Sequence, residues 1–88
     1  MPEVSRFFGL LIKIQYRDHA PPHFHIWRSG RSQARMNILT VNLLKGGKLP
    51  KPQLALVAAW TYLHQQELLA AWERAFAGVS PGKIPPLT

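Results

Sequence analysis

Two adjacent prolines, Pro21 and Pro22, constrain this chain more than any other feature of its sequence. Each proline ring fixes φ at about −65° and removes a backbone N–H donor, and Pro21 also disfavours helical angles at Ala20. The chain must therefore turn here in an extended conformation, between one apolar segment and the next. The turn also holds an acidic residue and three of the four histidines, in the order Asp18-His19-Ala20-Pro21-Pro22-His23-Phe24-His25.

Alternating apolar and polar residues on both sides of this turn predict a small antiparallel sheet of three or four strands. The first strand is expected over Phe7–Tyr16 and the second over His23–Arg28. Ser29-Gly30 favours a tight hairpin turn, after which Gln33–Ile38 is expected to form the third strand. A short fourth strand is expected over Val41–Leu44, and the Gly-Gly pair that follows predicts a turn.

The same alternation predicts two sheet faces of opposite character. The face expected to be buried against helices comprises Phe8, Leu10, Ile12, Ile14, Tyr16, Phe24, Ile26, Ala34, Met36 and Ile38. The exposed face is expected to carry His23, His25 and a candidate nucleic-acid-binding set of Lys13, Arg17, Trp27, Arg31 and Arg35. Cations mixed with aromatic and imidazole rings are typical of surfaces that attract phosphates and stack bases. The alternative is an ordinary solvated polar face.

The segment Gln53–Ala77 contains neither Gly nor Pro and is rich in helix-forming residues, so it is expected to be helical. One long helix fits the pattern, and so do two helices that break near His64-Gln65. We favour two, because 25 helical residues would extend about 38 Å, whereas a small sheet offers about 15–20 Å. We therefore predict a single α+β domain over residues 1–88. The sheet occupies about residues 6–45, one or two helices over about 52–77 cover one face, and 79–88 form a Pro-rich extended tail.

The charge of the chain is unevenly distributed. Its 11 Lys and Arg residues against 4 Asp and Glu residues give a net charge of +7, and all of the excess lies in residues 1–51. A basic half of this kind indicates a surface that faces a polyanion, such as RNA or DNA. The absence of cysteine, of a signal-peptide pattern and of a long apolar run predicts a cytoplasmic protein that does not contact membranes. No cofactor is expected, and the oligomeric state is left open.

Two sharper hypotheses concern the histidines. His23 and His25 would project from one face of a strand, about 7 Å apart, which is a spacing that can converge on a metal ion. Asp18 or His19 could supply the third ligand only if the Pro-Pro turn folds back. Because no third ligand has a fixed spacing from the pair, we expect no stoichiometric bound metal. Alternatively, His23 and His25 with Arg35 are catalytic candidates for metal-independent RNA cleavage by acid–base chemistry.

Several short motifs are spread along nearly the whole chain. They are Met1–Gly9, Asp18–His25, Leu49-Pro50, Trp60, Leu63-His64-Gln65, Glu67-Leu68-Leu69, Trp72 and Lys83–Leu87. Together they resemble the small bacterial family called domain of unknown function 4160, and the Pro-Pro-His-x-His element is the most specific of them. The resemblance implies a small α+β protein of the bacterial cytoplasm. It implies no catalytic residues.

The resemblance also implies a partner. Genes of this family often lie beside members of domain of unknown function family 2442, with which toxin–antitoxin-like pairs are proposed. This chain departs from the family pattern where Arg28, Arg31 and Arg35 stand at commonly acidic positions, and where Ala71 replaces a frequent Asn. We therefore expect a component of a toxin–antitoxin-type or regulatory module that contacts nucleic acid. The alternatives are an adaptor that binds a protein partner through its helices, and the ribonuclease.

Overall fold

A computed structural model of the chain describes residues 1–45 and 47–88, so the turn predicted at the Gly-Gly pair lies partly outside the described residues. The structure is an antiparallel sheet of five strands, in sequence order, followed by two helices. The elements are β1 (Glu3–Phe7), β2 (Leu10–Lys13), β3 (His23–Arg28), β4 (Arg31–Asn37), β5 (Asn42–Leu43), α1 (Lys51–Leu63) and α2 (Gln65–Phe76). The predicted α+β class is confirmed, and the predicted strand number was too low.

The extra strand comes from a hairpin that divides the predicted strand Phe7–Tyr16. Phe8 and Gly9 connect β1 to β2 with φ values of +50° and +78°. A two-residue turn with both φ angles positive matches the right-handed twist of the flanking strands. The predicted burial of Phe8 was wrong, because the side chain lies at the tip of this turn and is 61% exposed. Tyr16, at the other end of the predicted strand, is also exposed.

The apolar face of the sheet forms the core together with the helices. The predicted positions Leu10, Ile12, Ile14, Phe24, Ile26, Ala34, Met36 and Ile38 are all buried, as expected. Trp60 of α1 lies at the centre of this core. Its ring packs against Phe7, with ring centroids 5.1 Å apart, and against Phe24, at 5.8 Å. Burial of such large side chains is the main stabilising contribution to a domain of this size.

A β-bulge in β4 changes the face on which one predicted binding residue lies. Ile26 pairs with Ala34, but the next residue, Trp27, pairs with Ser32, so Gln33 is an extra residue. Arg31 then pairs with Arg28 at the hairpin end. Because paired residues project from the same face, Arg31 belongs with the face of Ile26 rather than that of Trp27. The prediction that Arg31 shares a face with Trp27 was therefore wrong.

Two helices, and not one, follow the sheet, as we favoured. The helical path is interrupted at His64, between α1 and α2. The Gln65 side chain at the start of α2 donates to the carbonyl oxygen of Ile38 at 2.8 Å. Near the end of α2, the carbonyl oxygen of Ala75 accepts from the N–H of Arg17 at 3.0 Å. The helix α2 thus runs across the end of the sheet where β2 and β4 finish and β3 begins.

Neither α1 nor α2, within the part of the chain that the structure describes, is long and apolar enough to cross a membrane.

The C-terminal tail is a strap that is held to the body of the domain. The N–H of Ile84 donates to the carbonyl oxygen of Val4 at 2.8 Å, beside β1. The indole N–H of Trp60 donates to the carbonyl oxygen of Pro85, also at 2.8 Å. Because Ile84 is buried, the strap closes one side of the core.

We predict that Ile84→Ala destabilises the domain by about 2–3 kcal/mol, because it deletes buried methyl groups from the core. Val79→Ala, in the same tail but at an exposed position, should change the stability by less than about 0.5 kcal/mol. Urea unfolding followed by tryptophan fluorescence measures both. Equal unfolding midpoints for the two variants would mean that the tail is a loose end.

Candidate functional site

The connection between β2 and β3 folds back on the domain through three backbone hydrogen bonds. Ile14 donates to the carbonyl oxygen of Pro2 at 3.1 Å, and Arg17 donates to that of Ala75 at 3.0 Å. At its far end, the carbonyl oxygen of Pro22 accepts from Ile38 at 3.0 Å. Within the connection, Arg17 has a φ of +53° and the peptide bond between Ala20 and Pro21 is cis. This path places Asp18 beside the beginning of β3.

Asp18 is the centre of a cluster with three histidines. One carboxylate oxygen, Oδ2, lies 2.9 Å from Nε2 of His23 and 3.3 Å from Nε2 of His25. The other oxygen, Oδ1, accepts from the backbone N–H of His19 at 2.9 Å and lies 3.2 Å from its ring Nδ1. The Pro-Pro turn therefore does fold back, and it brings the carboxylate to the pair of strand histidines.

His23 is held in one orientation by groups on both sides of its ring. Its Nδ1 lies 2.7 Å from the carbonyl oxygen of Pro21. Because a carbonyl oxygen only accepts hydrogen bonds, Nδ1 must carry a proton, and Nε2 is the atom directed toward Asp18. The ring also packs against Trp72 of α2, with centroids 5.2 Å apart, and only 2% of the residue is exposed.

The cluster changes from buried to exposed over a short distance. Asp18 and His23 are buried, whereas the side chain of His25 is 13% exposed and that of His19 is 86% exposed. Both His23 and His25 were predicted on the exposed face. This was wrong for His23, which α2 and Asp18 cover, and wrong in degree for His25. Its position on the sheet face is as predicted, but Asp18 and the connection cover much of the ring.

The electrostatics of the cluster favour an ionised Asp18 beside a neutral His25. Burial alone raises the pKa of the Asp18 carboxyl, but hydrogen bonds from His25 and from the His19 backbone outweigh it, so its pKa lies below the ordinary 3.8. Burial lowers the pKa of His25 below the ordinary 6.5, and the hydrogen bond to Asp18 opposes this only in part. A neutral imidazole that donates from Nε2 satisfies the carboxylate.

The structure brings together Lys13, Trp27 and Arg35, which are three of the five predicted nucleic-acid-binding residues, and places His25 among them. Lys13 pairs with His25, and His25 pairs with Arg35, so these three side chains form one row across β2, β3 and β4. Trp27 follows on the same face, and the Lys13 ammonium lies 4.3 Å from its ring centroid. We name Lys13, His25 and Arg35 the cationic row, after the charges of Lys13 and Arg35 on either side of the neutral His25. It lies on the face opposite the core.

The two remaining residues lie elsewhere. Arg31 is on the other face because of the bulge. The guanidinium of Arg17 lies against Gly78, just after α2, where a Cβ atom would clash with it. Arg17 is therefore near the Asp18 cluster in sequence but extends toward the end of α2, and the prediction that it shares the face of Arg35 was wrong.

Lys45 was not among the predicted binding residues, but it lies near the cationic row. Lys45 lines an open cleft of about 210 Å³ together with Ser32, Gln33, Ala34, Arg35 and Gly47. The segment after β5 reaches this place because it runs along β4. Leu44 donates to the carbonyl oxygen of Arg35 at 2.8 Å, and Lys48 donates to that of Gln33 at 2.9 Å. Only its proximity to a Gly-Gly turn hinted at this position, and no sequence pattern specified it.

The geometry does not favour metal-independent RNA cleavage by His23 and His25. A general acid or base must reach the proton that it transfers. His23 is almost completely buried, and its two ring nitrogens lie against Pro21 and Asp18. Only His25, of these two, could meet a substrate beside Arg35 without a rearrangement.

The fold and site define a class of small α+β proteins, in which an antiparallel meander carries a buried carboxylate–imidazole cluster at one end, against the second of two helices. The sequence model of the family described as Domain of unknown function (DUF4160) matches residues 9–73, which is about three quarters of the chain. The chain belongs to this family. Comparison with curated proteins and with solved structures found no match.

We predict that the free energy of unfolding decreases as the pH falls below about 6.5. The pKa of His25 is lower in the folded protein than in the unfolded chain, so the unfolded chain binds a proton there first. In this window the unfolded state holds more protons, so stability rises with pH. Asp18 acts in the same direction at lower pH, because its pKa is also lower in the folded state. His25→Gln should flatten the dependence between about pH 7 and pH 5.

Urea unfolding at a series of pH values, in the presence of EDTA, measures this effect. His19→Gln is the matched control, because that histidine adjoins the same carboxylate but is exposed. Identical pH dependence in His25→Gln and wild type would show that burial of His25 carries no energetic penalty.

Proposed function

We propose that this protein binds nucleic acid through the cationic row, with phosphate groups as the main contacts. The observation that carries the proposal is the strand register. It aligns Lys13, His25 and Arg35 across three neighbouring strands on the face opposite the core. Antiparallel sheets commonly leave one face open to solvent, where a flat surface can receive an extended polymer.

The spacing of the row suits a polyanion. Neighbouring strands lie about 4.8 Å apart, so Lys13 and Arg35 on either side of β3 are separated by about 10 Å. Two cations at this separation can contact phosphates of neighbouring nucleotides on one strand. Lys45, across the cleft from Arg35, adds a third positive charge at one end. The net charge of +7 attracts the same class of partner over a longer range.

Trp27 contributes to this surface by holding Lys13 in position and not by stacking on a base. The Lys13 ammonium covers one side of its ring, and such a contact restrains the lysine side chain. The indole nitrogen is buried and has no hydrogen-bond partner among the described residues. A base could stack on the covered side only by displacing Lys13. We therefore propose phosphate contacts that do not depend on base sequence, with Trp27 as the residue that positions Lys13.

We predict a log–log salt slope of about −2 for a single strand, since three cations each contribute about −0.7. Arg35→Glu should weaken binding several-fold and flatten the slope by about 0.7, because one phosphate contact is lost. Arg31→Glu is the matched control. It changes the net charge equally, but the bulge places it on the other face. Fluorescence anisotropy with labelled single-stranded RNA at several salt concentrations measures both variants, and the same DNA strand compares the two polymers.

Equal losses in Arg31→Glu and Arg35→Glu would show that only the total charge matters, which contradicts a site on the row. No measurable affinity of the wild type would contradict the proposed function altogether.

The second candidate function is that of a partner-binding component of a toxin–antitoxin-type or regulatory module in the bacterial cytoplasm. It is favoured by exposed apolar side chains where α1 ends and α2 begins. Tyr62 is 67% exposed and Leu63 is 71% exposed. Leu39 is exposed too, and its carbonyl oxygen accepts from Gln65 at 3.2 Å, so it lies beside them. Co-expression with a neighbouring gene product of the domain of unknown function 2442 type tests this, since a true partner should co-purify with wild type and be lost from Leu63→Glu.

A further inference from the structure

We propose that Asp18, His23 and His25 bind one divalent transition-metal ion, for which zinc is the best fit. The ligands would be one carboxylate oxygen and two imidazole nitrogens. Each of these residues offers a ligand atom, and the three atoms lie within 4.8 Å of one another. This site goes beyond nucleic-acid binding by the cationic row and does not depend on it.

The two distances from the Asp18 carboxylate to the imidazoles are close to those that a zinc ion imposes. Zinc binds imidazole nitrogen and carboxylate oxygen at about 2.0–2.1 Å, so two ligand atoms in tetrahedral geometry lie about 3.4 Å apart. Nε2 of His25 is 3.3 Å from Oδ2 of Asp18, and Nε2 of His23 is 2.9 Å from it. The three ligand atoms lie within 4.8 Å of one another, so the two imidazole nitrogens would have to approach each other by up to about 1.4 Å to bind one ion.

His23 is oriented as a metal ligand usually is. Ligating histidines generally donate their second ring N–H to a carbonyl or carboxylate group, which fixes the tautomer and the ring direction. Nδ1 of His23 makes this contact with the carbonyl oxygen of Pro21 at 2.7 Å, and Trp72 packs on the ring. With the proton on Nδ1, a lone pair on Nε2 would face the oxygen of Asp18, so a positive charge is required between them. A second proton on the ring or a metal ion can provide it.

The ligand types select the class of metal. Imidazole suits zinc, copper, nickel and iron, whereas magnesium and calcium prefer sites made of oxygen atoms alone. Three protein ligands leave one position of a tetrahedral ion free, as in catalytic zinc sites. His25 is the ligand nearest to solvent, and it is also the middle residue of the cationic row. An anion that lies along the row would therefore be adjacent to the ion.

The test is a zinc titration of the protein after removal of metals with a chelator. Isothermal titration calorimetry should show one zinc ion per chain, and cobalt should give the visible absorption of a tetrahedral site. Asp18→Asn and His25→Ala should each weaken zinc binding by more than about 100-fold, because loss of a residue that only hydrogen-bonds to a metal ligand already costs about 10–100-fold. His64→Ala is the matched control. Among the acidic groups of the described residues, that histidine contacts Glu67 alone, at 2.6 Å, and it is remote from β3 in sequence.

Two results would overturn the proposal: no binding by the wild type, or binding that survives in both Asp18→Asn and His25→Ala. Circular dichroism and urea unfolding without metal show whether each variant is folded. Asp18→Asn keeps the shape of the side chain and serves if His25→Ala unfolds. Arg35→Glu should retain zinc binding, so failure of the nucleic-acid proposal is distinguishable from failure of this one.

Discussion

The anchoring of the β2–β3 connection is the constraint on which the rest of this structure depends. Two prolines remove donors from the turn, and the remaining backbone groups bond to three separate elements: the N-terminus, the end of α2 and the end of β4. Asp18 is thereby fixed in a buried position, where a lone carboxylate would be costly. The imidazoles of His23 and His25 offset that cost, so the turn and the beginning of β3 stabilise each other.

The same contacts couple the site to the core. Trp60 of α1 packs on Phe24, whereas Trp72 of α2 packs on His23, the preceding residue of the same strand. Neighbouring residues of β3 thus face opposite sides of the sheet, and one helix covers each of them. The helix α2 holds the cluster in place from the sheet end, and the cationic row begins where this cover stops. The helix thus supports the cluster rigidly on one side, while His25 reaches solvent on the other. This arrangement is expected of a binding site.

Much of this fold could be predicted from the sequence, since strand alternation and helix composition are local properties. The buried apolar row and the turn at Pro21 follow from such patterns, whereas the break at His64 was preferred only because one long helix would exceed the length of the sheet. The hairpin at Phe8-Gly9 was not predicted, because apolar alternation continues across it and the pair is not a usual turn sequence. The bulge at Gln33 escaped because an extra residue leaves no mark in a short strand, yet it moved Arg31 to the other face. Asp18 was named as a third ligand only on the condition that the Pro-Pro turn folds back, because its contacts depend on how the whole β2–β3 connection packs against α2.

The central claim is that His23 and His25 direct their Nε2 atoms at one oxygen of Asp18. Long-range proton–nitrogen NMR spectra of the imidazole rings test it most directly, in the metal-free protein and during zinc addition. We predict a proton on Nδ1 of His23 before zinc is added, and a joint shift of Nε2 in His23 and His25 as zinc binds, while His64 stays unchanged. A bare Nδ1 on His23, or a zinc response confined to His19 and His64, would contradict the account.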